Sequence, residues 1–142
     1  MARRRRPGAG EPAAVTDTHA LVFHAAGGGR LGPRAHAHFS GAGRRDGLLY
    51  VPAAVIWEVS LLARTVRINL HRPVRAFFDD LFSNPAYQPY DLGLPQVLAA
   101  DETRINRDPF DCLICAAARD LDLPLLPRDR EIRSSGAVRV LW

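Results

Sequence analysis

The sequence predicts an α/β protein, a three-layer α/β/α sandwich built on a short central parallel sheet. Three observations predict it. Short apolar runs alternate along the chain with stretches of helical periodicity. Strands separated by helices pair in parallel through right-handed crossovers. The 142 residues, 47% hydrophobic and 24% charged, have the size and composition of one globular domain.

The elements follow in order. Residues 13–16 are a brief apolar run that stops at Asp17, and residues 18–26 can be helical until Gly27, Gly28 and Gly29 end the segment. Pro33 suits the first turn of a second helix, which ends near Gly41 and Gly43. Residues 48–51 read as a strand. Residues 53–66 then place Val55, Val59 and Leu62 on one helical face, with Glu58 in the middle. Pro73 opens a helix through Phe82 whose face includes Val74, Phe77, Phe78 and Leu81. Residues 90–94 are expected to form a third, weak strand, and Pro95 to begin a short helix. Asp108-Pro109 is a strong helix start, with Asp as N-cap and Pro at the first helical position; the helix runs to about Leu121 with Leu113, Ile114 and Ala117 inward. Residues 123–126 are strand-like, Asp129 begins another helical turn, and residues 138–142 are expected to close the chain as a strand.

Every one of the 19 basic residues is arginine, which excludes lysine chemistry such as Schiff bases or a phosphate-loop lysine. Arg3, Arg4, Arg5 and Arg6 lie together in residues 1–12, against the single acid Glu11. The remaining chain therefore carries 15 arginines against 14 acids. Residues 1–12 read as a disordered basic tail, Gly- and Pro-containing, with phosphate binding as the functional alternative; residues 13–142 read as the domain. Two cysteines make no disulfide framework, and no apolar run is long enough to span a bilayer. The expectation is a cytoplasmic protein.

The acids carry the functional reading. In open α/β sheets, ligands bind beyond the carboxyl ends of the strands. Asp17 follows the first strand directly, and Asp129 follows the strand ending at Leu126. Asp108 and Asp111, three apart across a helix start, can face one side. Glu58 sits between Trp57 and Val59 in an otherwise apolar helix, where a carboxylate is either an exposed residue or one that needs a partner or a cation. Carboxylates that converge without a lysine repel one another, and a hard divalent cation relieves this. Such an ion can activate water and steady the leaving oxygen of a phosphodiester, so the spacing points to a metal-dependent nuclease.

Four motifs occur in order: Val15-Thr16-Asp17-Thr18-His19-Ala20-Leu21, Ile56-Trp57-Glu58-Val59, Arg107-Asp108-Pro109-Phe110-Asp111 and Val140-Leu141-Trp142, with Arg128-Asp129 after the expected strand. From about Val15 to Trp142 the chain thus resembles a PIN domain of the VapC-type toxin group. The resemblance implies a Mg²⁺- or Mn²⁺-dependent endoribonuclease acting on tRNA, rRNA or mRNA, blocked by a cognate antitoxin and often a homodimer. Its acidic cluster falls on Asp17, Glu58, Asp111 and Asp129, with Asp108 either a fifth contributor to the metal site or only the N-cap. Thr18 either bonds a metal-site carboxylate or caps its own helix. Arg107, Arg128 and Arg130 either engage RNA phosphates or form a solvated rim. The chain departs from the family pattern at Pro127, Pro52, Leu62 and Asn106, where Thr or Ser, Ser, a basic residue and His are common. The alternative is a catalytically impaired PIN module that binds RNA or a protein.

Other signals are weaker. Cys112 and Cys115 form a C-x-x-C inside a helix, where small apolar side chains pack and redox chemistry is disfavoured. His36 and His38 point apart on a helix, and His19 is expected to have a structural role in the first helix. The glycines at 27–29 lack the Gly-Lys of a phosphate loop. Trp57, Phe77, Phe78, Leu81 and Phe82 are either core or a surface for an antitoxin helix. A phosphotransfer domain needs a second acid two residues after Asp17, where His19 stands, or a late lysine, and the chain has neither.

Overall fold

A computed structural model describes residues 12–127 and 130–142. Among them lie β1 (Ala13–Thr16), α1 (Thr18–Ala25), α2 (Pro33–Gly43), β2 (Leu48–Pro52), α3 (Ala53–Arg64), α4 (Val74–Ser83), β3 (Tyr87–Tyr90), α5 (Leu94–Glu102), α6 (Pro109–Leu121), β4 (Leu125–Leu126) and α7 (Arg130–Ser135). The strands form one sheet in the order β3-β2-β1-β4, every neighbouring pair parallel. This is the three-layer α/β sandwich that the alternation predicts. The basic run at residues 3–6 lies outside the described residues. Among the described residues no helix is long and apolar enough to cross a membrane.

A parallel sheet covered by helices buries both faces, so its inner strands need no polar alternation. β2 shows this: Leu48, Leu49, Tyr50, Val51 and Pro52 are all buried. Against the sheet pack Leu21 of α1, Phe39 of α2, Val55 and Val59 of α3 and Ile114 of α6, all at 1% exposure or less. Each such side chain contributes roughly 1.5–3 kcal/mol of burial. A polar knot ties β3 to the α5–α6 pair. Tyr90 Oη donates to the Asp120 carboxylate, and Gln96 Nε2 donates to Asp91 O at 3.1 Å and to Asp120 at 3.4 Å.

Strand order positions the site. The chain leaves β1 towards β2 and β3, then returns across the sheet to place β4 on β1's other side. The carboxyl end of β1 is therefore the switch point, where outgoing connections diverge and leave a crevice. Asp17 stands there, and its backbone N–H reaches Leu126 O of β4 at 3.4 Å.

Several boundaries differ from the sequence expectation. The third strand is Tyr87–Tyr90, not 90–94. It is an edge strand, so Pro89, paired in register with Val51, costs no interior hydrogen bond. Leu92 and Leu94, expected in that strand, are exposed. α3 ends at Arg64 and not at Val66, which turns out with φ 59° and is 86% exposed. The expected strand at 138–142 shortens to one bridge: Leu125 N donates to Arg139 O (2.8 Å) and Leu141 N to Leu125 O (2.9 Å). Beyond it the chain turns onto the start of α2. There Arg34 N donates to Trp142 O (3.3 Å), and Arg133 lies 5.4 Å from the Trp142 ring centroid.

Candidate functional site

Asp17 is 3% exposed. It caps α1: its Oδ1 accepts from Ala20 N at 2.7 Å, satisfying one of the free amides of the first turn. Capping α1 is thus the work of Asp17 and not of Thr18. The Thr18 hydroxyl is buried and makes no hydrogen bond of ordinary geometry. It stands beside Glu58, where it favours the charged carboxylate.

Glu58, half-buried on α3, is not a solvated helix residue. Burial, followed by the charge of Asp108, holds its carboxyl above the usual carboxylate range, against the opposing effect of Thr18. Asp108 is the N-cap of α6, its Oδ1 accepting from Phe110 N (2.8 Å) and Asp111 N (3.2 Å). Asp108 is thus the N-cap of the sequence reading, and its charge acts on Glu58. Asp111, in the first turn of α6, accepts at Oδ2 from Asn106 Nδ2 at 2.9 Å.

A buried thiol reports the rest of the gathering. Cys115, one turn after Asp111, has its pKa pushed up to about 12, first by burial and then by Asp111, Cys112 and Asp17. Asp17 and Asp111 thus act on one sulfur atom from two elements. Glu58 feels both Thr18 and Asp108. A thiol held so far from ionisation is no redox nucleophile, in line with the packing role expected for Cys115.

Four of the acids singled out in the sequence lie on this edge: Asp17, Glu58, Asp108 and Asp111. Asp129 and Arg128 fall outside the described residues, and Arg130 opens α7. Arg107 is exposed beside Asp108. Pro127, where the family pattern has a hydroxyl, is buried. His19 sets its ring edge on Phe23 at 6.4 Å, a packing contact.

Asn106 is the residue that sequence reading undervalued, as a mere departure. The available signal was an Asn two residues before an N-cap Asp, which is turn chemistry.

Among the described residues no three His, Cys, Asp or Glu side chains converge closely enough to hold a metal ion by themselves. The donor set nevertheless fits a hard cation. It consists of carboxylates, Glu58 and Asp108 among them, that repel one another, with the Thr18 hydroxyl oxygen beside Glu58. Mg²⁺ takes only one or two carboxylates directly and keeps several waters, so a tight three-acid cage is not required.

Two grooves flank this edge. One, of about 550 Å³ between α3 and α4, is lined by Ile56, Trp57, Ser60, Val74, Phe78 and Phe82 among others. Trp57 is 55% exposed in it, while Phe77 and Phe78 are buried. The aromatic group is thus core at two positions and surface at Trp57. The other, of about 700 Å³ between α5 and α6, includes Val97, Arg104, Asn106, Arg107 and Leu113.

The PIN domain family profile matches residues 14–136. The chain belongs to the PIN domain family. No curated protein matches it in sequence. Among solved structures it is similar to VapBC2 from Rickettsia felis bound to a DNA fragment from their promoter, with a TM-score of 0.68 at 11% identity, covering 91% of this chain and 97% of that one. A toxin–antitoxin complex from Klebsiella pneumoniae gives 0.61 at 14%, covering 91% and 96%. PAE2754 from Pyrobaculum aerophilum gives 0.56 at 20%, covering 92% and 83%. At these identities the likeness is one of fold. Asp17, at the carboxyl end of β1, stands where this sheet order leaves its crevice.

Proposed function

We propose that this PIN domain is a metal-dependent endoribonuclease of the VapC type, the toxin of a toxin–antitoxin pair. The observation that carries this is the gathering of Asp17, Glu58, Asp108 and Asp111 from three elements at the switch point of the sheet. Asp17, Asp111 and Asp129, with Asp108 beside them, would hold Mg²⁺ or Mn²⁺ directly or through water, and Glu58 completes the acidic set. When bound, such an ion lowers the pKa of water and offsets the charge that develops on a phosphodiester.

The chain's own residues do the rest. Asp17 and Asp111 are held in fixed orientations by Ala20 N and Asn106 Nδ2, so they need little reorganisation to receive a cation. Glu58 has a raised proton affinity and can take a proton from water attacking phosphorus in line. Arg107, with Arg128 and Arg130, supplies charge for RNA phosphates.

The antitoxin partner is supported by the toxin–antitoxin structures among the neighbours and by the groove at Trp57, which suits an apolar helix face. A homodimer is supported by α5, whose Leu94, Val97 and Leu98 sit at i, i+3 and i+4 and are 71%, 44% and 52% exposed.

The test is cleavage of a pool of tRNA and rRNA by the purified protein with Mn²⁺ or Mg²⁺, with EDTA, and with Asp17→Ala and Asp111→Ala. Discrete fragments that need both metal and acids are expected. Intact RNA in every lane, from folded protein free of antitoxin, would favour a non-catalytic RNA- or protein-binding module. Buried Pro127 and the lack of a tight three-acid group among the described residues support that second reading.

A further inference from the structure

Asn106 stands in the loop between α5 and α6 and uses both ends of its amide. Its Oδ1 accepts from Asp108 N at 2.9 Å, an Asx turn that sets the residue capping α6. Its Nδ2 donates to Asp111 Oδ2 at 2.9 Å. Its backbone carbonyl also receives Cys112 Sγ at 3.5 Å, which ties the loop to the second turn of the same helix. One side chain thus fixes the backbone before Asp108 and the carboxylate of Asp111 together.

The chemical type of the donor matters. An arginine or a protonated histidine at this place would orient Asp111 and also neutralise it, competing with a cation for the carboxylate. An amide carries no net charge, so it orients the carboxylate without itself neutralising it. Hydrogen-bonded partners behind metal-binding carboxylates act in this way, and their loss typically weakens metal binding 10- to 100-fold.

We propose that Asn106 is a positioning residue that presents Asp111 to a divalent cation, a role that rests on the nuclease reading above. The variant that isolates it is Asn106→Ser. A serine hydroxyl can still accept from Asp108 N, keeping the turn, but is too short to reach Asp111. Mn²⁺ affinity is measured by calorimetry without RNA, beside the melting temperature, for the wild-type protein, Asn106→Ser, Asp111→Ala and the double variant.

The expected result is about a 10-fold weaker Mn²⁺ affinity for Asn106→Ser at an unchanged melting temperature, and no further weakening once Asp111 is alanine. An unchanged affinity, or the same loss in both backgrounds, overturns the proposal and leaves the nuclease reading standing. Where Asp111→Ala binds too weakly to titrate, the side-chain amide resonance of Asn106 decides. Movement on adding Mg²⁺ to the wild-type protein supports the role, and a resonance that stays in place overturns it. A wild-type protein that binds no Mn²⁺ at all removes the nuclease reading and this proposal together.

Discussion

Asp108 has two duties, and two substitutions separate them. Its Oδ1 accepts from Phe110 N and Asp111 N, so Asp108→Ala leaves both amides of the first turn of α6 to solvent. Loss of an N-cap of this kind costs about 1 kcal/mol. For a domain of this length that is a fall in melting temperature of roughly 3–4 °C. Asp108→Asn keeps an acceptor oxygen in the same place and loses only the attraction of a charge for the helix dipole, some tenths of a kcal/mol at an exposed cap. Its melting temperature is expected to fall by about 1 °C or less. The same substitution removes the carboxylate whose charge helps to hold the Glu58 carboxyl high, so the Glu58 pKa should move down in Asp108→Asn. Thermal melts followed by circular dichroism measure the first effect, and carbon-detected NMR titration of the glutamate carboxyls measures the second. A Glu58 titration that does not move in Asp108→Asn would refute the gathering of these acids at one edge. Equal destabilisation by Ala and Asn would refute the capping account.

Three further outcomes are expected. His24, stacked on Phe39 at 4.5 Å and 3.3 Å from Tyr87 Oη, has its pKa lowered below 6.5 by burial and then by His36. The unfolded chain therefore binds its proton first: His24 costs no stability above about pH 7 and an increasing amount as pH falls through 6.5. Denaturant midpoints from pH 8 to 5 should fall more steeply for the wild-type protein than for His24→Phe, and parallel slopes would sink the idea. At Gly32, φ is −66°, a backbone on which alanine would by itself stabilise, but an added Cβ would lie 2.5 Å from the Trp142 carbonyl carbon. Gly32→Ala should instead lower the melting temperature and shift the tryptophan fluorescence as Trp142 is displaced; a more stable variant would contradict the packing. Cys115, with a pKa of about 12, is almost wholly thiol at pH 8, whereas Cys112 is partly exposed. Iodoacetamide and mass spectrometry of the folded protein should find Cys112 modified and Cys115 spared, and equal labelling would contradict the burial.

The pattern of the chain held most of the fold for physical reasons that can be named. β2 is legible because a strand buried on both faces must be apolar at every position. The start of α6 is legible because Asp-Pro supplies a capping oxygen and a residue that needs no amide partner. The third strand was misplaced because Tyr87-Gln88-Pro89-Tyr90 has no apolar run, while Leu92 and Leu94 beyond it do; edge position, which tolerates proline, is a property of the sheet and not of the segment. The closing run at Val140 depended in the same way on its partner, Leu125 of the two-residue β4.

The candidate site divides along the same line. That Asp17, Glu58, Asp108 and Asp111 are the acids to watch was readable from their place after a strand, inside an apolar helix and around a helix start, because these are local features. What each acid does was decided only by tertiary packing. Asp17, not Thr18, caps α1; burial and the charge of Asp108 raise Glu58; and Asn106, five residues before Asp111, turns its amide onto that carboxylate. Spacing can bring such groups to the same end of a sheet, but desolvation and hydrogen-bond direction arise only when separate elements close around them.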